Sequence, residues 1–540
     1  MFCLSDCRRT FGTVYIEESG LSAMLWVLTS SNSSRQGGHT MRIADANKDS
    51  KPESLAELTA QVECFVRQSA AEGCTLRDFE RTFLDRLLHI GRVGMDLFLA
   101  SQGDGDRGET VTESEGSVLH RSEQPENRLL RTIFGRHQFQ AFVYRQRQHP
   151  NTAIQLRPID ERLGIEPHRW SPLLQEFSML FSVEQSFAPA AKVFDTIFRQ
   201  SLSVDTLEQV SRQMGERAGL FLDALTTPPA DEEGEIMVLT SDGKGIPMVH
   251  ADAVRLRTFD EKLLRPGNRR MATLASVYSV DPHYRTADDI MAALFRDERE
   301  DEEEPQPTRP EPCHKRVVAH LPRVVEETGE SQPISGMTLA LSWATREVQS
   351  RHRDGQILVR LMDGQHSLWD TADLCGCDVR SELTVDILDI LHVASYVWRA
   401  AKAFHPHREQ QEAFARERLQ RILEGEAKGV ITGLRRMAKQ RKLQGESLKE
   451  VQTVCGYFAS HLHRMKYDEY LSGGYPIATG VIEGACRHLV KDRMERSGMR
   501  WTVEGAQAML HLRALYQSSY WNSFHESNHA GQHPQTPLIA

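Results

Sequence analysis

The chain has 540 residues, enough for two to four domains, and its 40% hydrophobic and 26% charged residues are typical of a soluble globular protein. The longest apolar stretch near the N-terminus, residues 21–28, is too short to span a bilayer, so we expect a cytoplasmic protein with no membrane partner. Only Cys375 and Cys377 of the nine cysteines are closely spaced, which predicts reduced thiols rather than a zinc finger.

Residues 1–50 show no clean hydrophobic periodicity, and we predict a disordered or extension segment there. From 51 to 120 the apolar residues recur at steps of three and four, which predicts a helical N-terminal segment. This segment is expected to close with a polar loop at 101–117.

Residues 121–230 are predicted to be mainly helical and to bind DNA. Within them, 180–222 resembles a helix-turn-helix, whose second helix can enter a major groove. Ser203 or Asp205 is expected to cap its last helix. Because the region lacks a basic recognition face, three ordinary packed helices are the alternative.

Residues 231–404 are predicted to form the first part of an α/β core with a mixed sheet flanked by helices. The run 235–252 is interpreted as strand, turn and strand, with Asp242 ending the first strand and Gly243 and Gly245 shaping the turn. The remaining elements are a strand at 269–282, a surface loop at 296–312, a helix at 337–351, a strand at 356–364 that ends in Asp363, and a strand running into a helix at 382–404.

The C-terminal third is predicted to be helical and carries the basic charge of the chain. Residues 405–472 read as an all-helical insertion, 473–526 as the last helices of the core with Glu483, and 527–540 as a flexible tail. The net charge of the chain is −10, yet residues 394–526 hold 21 Lys and Arg against 14 Asp and Glu, a local charge of +7. Local charge decides where a polyanion docks, so this region is expected to face one.

Three carboxylates stand where packing does not call for them. Taken singly, Asp242 and Asp363 suit Asp-Gly turns, and Glu483 suits the first turn of a helix. Together, on separate elements of one domain, they suit two hard divalent cations. Two such ions about 3.5–4 Å apart serve phosphodiester chemistry, so we expect two Mg²⁺ ions, with Mn²⁺ as a substitute.

The motifs also resemble a known family. The stretch "YPIATGVIEGACRHLVKDRMERSGMRWTVEGAQAMLHLRAL" is similar to the C-terminal signature of bacterial insertion-sequence transposases of the ISKra group. The resemblance covers residues 55 to 526 and implies an RNase H-like catalytic core with an Asp-Asp-Glu triad and a helical insertion before the glutamate. Further matching blocks are "TIFG", "RPIDERLGI", "SFAPAAKVF", "SDGKGIPM", "LMDGQHSLW" and "ILDILHV".

Carried over by motif, the catalytic and metal-binding triad is Asp242, Asp363 and Glu483. Asp389 is the rival for the second aspartate. Related groups have an Asp/Cys-x-x-His motif downstream of the second aspartate, which Asp389 and His392 match. We assign these two auxiliary roles, positioning DNA or flipped bases, although a core histidine is an equal reading of His392.

Basic residues around Glu483 are predicted to bind DNA phosphates, with a plain solvated face as the alternative. Trp501 is expected to be a buried aromatic, and base stacking is its second interpretation. The predicted DNA-binding residues are Arg487, Lys491 and Arg493 after the glutamate, and Arg435, Arg436 and Lys439 in the insertion.

The resemblance implies a DNA transposase that hydrolyses a phosphodiester at a transposon end and then uses the freed 3′-hydroxyl to attack target DNA. Its partners would be the terminal inverted repeats, target DNA and at least one second copy of the chain, in a bacterial cytoplasm at the nucleoid. An RNase H-like nuclease without strand transfer and a transposase-derived DNA-binding protein are the alternatives.

Overall fold

The computed structural model describes residues 54–530, apart from 114–115, 147–152, 167, 257–266, 298–308, 328–329, 380 and 497. The predicted extension at 1–50, most of the acidic loop and the end of the predicted tail lie outside the described residues. The chain divides into residues 1–58 and 59–540. Of the first unit only the start of one helix is described, and the second unit is the subject below.

The N-terminal part is helical, as predicted, and then forms strands that the sequence did not reveal. The helices are α1 (Leu55–Glu72) and α2 (Leu76–Ala100). Two small antiparallel sheets follow, one ordered β1-β2-β5 and the other a β3-β4 hairpin. Their strands are β1 (Thr110–Thr112), β2 (Val118–Arg121), β3 (Glu126–Thr132), β4 (Gly135–Ala141) and β5 (Tyr144–Arg145).

A cluster of helices follows at α3 (Pro158–Leu163), α4 (Pro172–Glu184), α5 (Phe187–Phe198) and α6 (Val204–Asp223). Ser203 caps α6, as predicted, because its side chain accepts a hydrogen bond from Thr206 N. A Cβ on Gly215 of α6 would come within 2.5 Å of Ala508, so this helix packs tightly against the C-terminal part of the chain. The three helices from α4 to α6 therefore share a core, and DNA reading by them stays a prediction.

The central sheet has five strands in the order β12-β11-β6-β7-β8. Neighbours β6, β7 and β8 are antiparallel, whereas β11 and β12 run parallel to β6. A separate hairpin is formed by β9 (Arg323–Glu327) and β10 (Glu330–Ile334). The sheet strands are β6 (Ile236–Pro247), β7 (Arg269–Val280), β8 (Cys313–His320), β11 (Ile357–Met362) and β12 (Thr384–Leu388).

Two sequence expectations for this sheet are wrong. The predicted turn at Gly243 and Gly245 does not exist, because β6 runs on to Pro247 in unbroken register with β7. The third antiparallel strand is β8, which was not predicted. The mixed sheet itself, with a helix between the last strands, is confirmed.

Both faces of the sheet are covered, which explains the continuous apolar runs of its strands. Met237 and Leu239 pack on one face with α9 and α10, while Ile236 and Val238 pack on the other with α11 and the insertion helices. The flanking helices are α7 (His250–Arg255), α8 (Ala287–Phe295), α9 (Gly336–Arg351), α10 (His366–Leu374) and α11 (Ile390–Phe404).

The helical insertion is confirmed as α12 (Arg408–Leu423), α13 (Ala427–Gln440), α14 (Gly445–His461) and α15 (Tyr467–Ser472). The chain ends in α16 (Gly480–Ala485), a π-helical turn (Cys486–Lys491), α17 (Asp492–Met494), α18 (Val503–Gln517) and α19 (Trp521–Ala530). The first residues of the predicted flexible tail are thus helical. No described helix is long and apolar enough to cross a membrane, and the described cysteines are free thiols.

Candidate metal centre

Three aspartates lie in one row across three neighbouring parallel strands. Met362 of β11 pairs with Ser241 of β6 and with Leu388 of β12. Because neighbouring strands lie about 4.8 Å apart, the residues that come next on each chain are brought together at the carboxyl ends of the strands. Those residues are Asp242, Asp363 and Asp389.

Asp242 lies within β6, so the prediction that it ends a strand is wrong. What ends beside it is the pairing with β11, whose last residue is Met362. One carboxylate oxygen of Asp242 accepts a hydrogen bond from Gly243 N at 2.6 Å, and the other accepts one from the Cys486 thiol at 3.3 Å. Asp242 therefore faces the helical segment that follows Glu483.

Asp363 directly follows β11, as predicted. Its Oδ1 accepts a hydrogen bond from Gln365 N at 2.9 Å. Burial raises the pKa of the Asp363 carboxyl, and the charges of Asp242 and Asp389 raise it further, against the hydrogen bond from Gln365 and the charge of His392. The site thus crowds carboxylates closely enough that their ionisation is opposed, which is a condition that a bound cation relieves.

Asp389 is fully buried and caps α11. Its Oδ1 accepts from Leu391 N (3.1 Å) and Thr479 N (3.2 Å), and its Oδ2 accepts from Thr479 Oγ1 (2.7 Å) and His392 Nδ1 (2.8 Å). Thr479 immediately precedes α16, and Glu483 N donates to its carbonyl at 2.9 Å. Asp389 therefore ties the end of β12 to the first turn of the helix that carries Glu483.

His392 carries a positive charge at neutral pH. Burial lowers the pKa of this imidazole, but the hydrogen bond and charge of Asp389, with the charges of Asp363 and Asp242, together raise it to about 9. Its side chain is 39% exposed, so one part of the ring faces the solvent side of the site. The structure thus places His392 beside the carboxylates rather than in the apolar core.

Glu483 lies on α16 and its side chain is exposed. Ligand atoms of Glu483, Asp389 and His392 lie within 4.8 Å of one another. The charges of Glu483 and Asp242 both act on the Cys486 thiol, whose pKa is raised mainly by burial and then by Asp242. The five predicted site residues are therefore gathered in one place, while their catalytic roles stay a prediction.

Two ligand sets are possible at this site, and the chemistry of the donors favours one. In the set Asp389, His392 and Glu483, the Asp389 oxygens already accept four hydrogen bonds, and a protonated imidazole cannot coordinate a metal. The set Asp242, Asp363 and Glu483 offers carboxylate oxygens alone, which Mg²⁺ prefers. The residues present fit a hard divalent cation.

Arg493 is not available for DNA, and its predicted role as a phosphate contact is wrong. It is fully buried, donates to Ser182 O at 2.6 Å, and lies 4.8 Å from the Phe187 ring and 5.1 Å from the Trp501 ring. The wider π-helical turn before it changes which side of the helix the following residues face. Trp501 is buried as expected, with Nε1 donating to Met494 O, so base stacking by it is excluded in this conformation.

The other predicted DNA-binding residues are at the surface. Arg487 is 57% exposed and lies 3.7 Å from an oxygen of Asp492, and Lys491 is exposed. The insertion residues occupy the solvent side of α13, whose opposite side, with Ile431 and Leu434, is buried. Contact with DNA stays a prediction for Arg435, Arg436, Lys439, Arg487 and Lys491.

The sequence reasoning missed three residues of the site. Thr479 carries a pattern that could have been read, a threonine at the start of a helix. Cys486 lies three residues after Glu483 and so shares its side of a helix. Lys244 lies two residues after Asp242 in a strand and therefore on the same face, where its charge acts on Cys486.

No family model and no curated protein matches the chain. A similar solved structure is that of the Drosophila P element transposase strand transfer complex. The two chains are 9% identical, and the similarity covers 68% of this chain and 83% of that chain with a TM-score of 0.22. A TM-score this low carries no argument about the fold or the function.

Proposed function

We propose that this protein is a DNA transposase of the insertion-sequence type, with an RNase H-like core that cuts and joins phosphodiesters with bound divalent cations. The observation that carries the proposal is the row of aspartates Asp242, Asp363 and Asp389 on three parallel strands, met by Glu483 from a helix. The strand order β12-β11-β6-β7-β8, with three antiparallel strands and two parallel to the first, supports the RNase H-like assignment.

In the proposal, Asp242, Asp363 and Glu483 hold Mg²⁺, as two ions, with Mn²⁺ as a substitute. When bound, the ions polarise the scissile phosphate and supply an activated oxygen nucleophile. Lys244, Arg487 and Lys491 surround this position and supply positive charge for the neighbouring phosphates. The substrates are the terminal inverted repeats and the target DNA, brought together by at least two copies of the chain.

Asp389 and His392 have positioning roles in this proposal. Asp389 holds Thr479 and thereby the start of α16, so it fixes where Glu483 reaches the aspartate row. The proton on His392 Nδ1 is held by Asp389 Oδ2, and the imidazolium charge offsets the crowded carboxylates. Neither role requires that Asp389 itself contact the metal.

The test is cleavage and joining of labelled DNA that carries the ends flanking the gene, in Mg²⁺, by the wild type and by Asp363→Ala and Glu483→Ala. We expect both variants to lose both steps while they still bind DNA. Cleavage without joining by the wild type would identify a nuclease instead. DNA binding without any metal-dependent cleavage would identify a DNA-binding protein and overturn the proposal.

A further inference from the structure

A cleft of about 530 Å³ opens directly beside the aspartate row. Three elements form it: the loop after β11, the first turns of α11, and the insertion helix α14. Asp363 and His392 line both this cleft and the metal centre. The lining residues are Asp363, Gly364, Gln365, His366, His392, Tyr396, Thr453, Gly456, Tyr457 and Ser460.

The lining of the cleft suits a planar, uncharged group with hydrogen-bonding edges. It combines two tyrosines, two histidines and two hydroxyl side chains, and none of the described residues that line it is a lysine or an arginine. A phosphate would meet the Asp363 carboxylate here without a guanidinium or ammonium partner. The volume falls within the roughly 300–1,000 Å³ of small-ligand sites, so a nucleobase with part of its sugar can enter.

The aromatic wall is fixed before any ligand arrives. The rings of Tyr396 and Tyr457 are stacked with centroids 3.8 Å apart and planes within 2°. The Arg399 guanidinium lies 4.4 Å from the Tyr396 ring centroid on helix α11. His461 of α14 stacks on His366 at 4.7 Å and bonds to Gly364 O at 3.1 Å. A wall that is already ordered loses little entropy when a base packs against it.

We infer that this cleft holds the base of one unpaired nucleotide next to the scissile phosphate. The inference rests on the proposed function and extends it, because Asp363 would hold the cation at the phosphate while the neighbouring base lies against Tyr396, Tyr457 and His366. A base inside a duplex cannot enter a cleft covered by α14, so the nucleotide has to leave the stack first. The insertion is therefore part of the substrate site.

Gly456 offers a way to fill the cleft without disturbing the protein. It lies on α14, lines the cleft, and a Cβ built on it meets no heavy atom within 4 Å. Gly456→Trp would place an indole in the space of the base. Gly433 on α13 is the matched control, because a Cβ there also meets nothing within 4 Å but the residue does not line the cleft.

The experiment uses a DNA duplex with a short single-stranded overhang that carries one 2-aminopurine, and Ca²⁺ to hold the complex without cleavage. Wild type and Gly433→Trp should change the 2-aminopurine fluorescence on binding, and Gly456→Trp should not. Gly456→Trp should bind this DNA about 5- to 150-fold more weakly, the range that corresponds to one stacked base. An abasic site at the probe position should weaken the wild type to a similar extent and leave Gly456→Trp unaffected.

Metal-dependent cleavage of the same DNA is measured in parallel, and it separates two kinds of failure. If the wild type cleaves but Gly456→Trp matches Gly433→Trp in fluorescence and affinity, the base site is refuted while the proposed function stands. If the fluorescence and affinity differ as expected but no variant cleaves, the base site stands and the proposed function fails. A wild type that gives no fluorescence change overturns the base site.

Discussion

Asparagine at Asp363 and asparagine at Asp389 should have opposite effects on stability and activity. Asp363→Asn is expected to abolish metal-dependent cleavage and to leave the metal-free protein as stable as the wild type or more so. Asp389→Asn is expected to destabilise the protein strongly. The contrast separates a residue that binds the metal from a residue that positions the site.

The magnitudes follow from the contacts of each carboxylate. Asp363 accepts one hydrogen bond, from Gln365 N, which an asparagine oxygen can also accept. Because the folded-state pKa of Asp363 is raised, its ionisation costs stability at neutral pH, and asparagine removes that cost. Asp389 is buried with four hydrogen bonds, one from charged His392, and breaking a buried charge pair costs about 3–5 kcal/mol.

The assay is thermal unfolding at pH 7 in EDTA, with cleavage in Mg²⁺ measured on the same preparations. Asp389→Asn should unfold several degrees below the wild type, and Asp363→Asn should not. A loss of stability in Asp363→Asn equal to that of Asp389→Asn would refute the division of roles. So would a cleaving Asp363→Asn together with a stable, inactive Asp389→Asn.

Three further predictions concern the metal, the basic residues and acid. Mn²⁺ should raise the unfolding temperature of the wild type over that in EDTA, and Asp363→Asn should lose this increase, since only a ligand that binds the folded state stabilises it. Arg493→Lys should destabilise the protein by about 3 kcal/mol without changing the salt dependence of DNA binding, whereas Lys491→Ala should lower the salt slope by about 1 and leave stability unchanged. Burial lowers the pKa of His320 to about 3, so the unfolded chain binds a proton there from pH 6.5 downward and stability should fall as the pH drops from 6.5 to 3; the fall should be shallower in His320→Gln.

Much of the central domain could be predicted because its signals are local. The apolar runs of β11 and β12, the caps of α6 and α11, and the helical periodicity of the insertion each occupy a short stretch of sequence. The strand β8 and the strands between 110 and 145 are short or lack strict alternation, and pairing with distant partners decides them. A glycine pair inside β6 was interpreted as a turn because nothing local shows that β7 pairs with it throughout.

At the site, the sequence identified the residues but not their arrangement. Asp242, Asp363 and Asp389 form a row because of the parallel register of three strands, which no single motif encodes. Arg493 was expected to follow the exposed side of Lys491, but a π-helical turn intervenes and turns it inward against Phe187. The fourfold hydrogen bonding of Asp389 depends on Thr479, ninety positions later in the chain.

The measurement that tests the central claim most directly is the position of Mn²⁺ in crystals of the protein, located by anomalous scattering. The account predicts metal held by oxygens of Asp242, Asp363 and Glu483, with Asp389 still bonded to Thr479. Metal bound by Asp389 and His392, or no metal near the aspartate row at saturating Mn²⁺, would contradict the account.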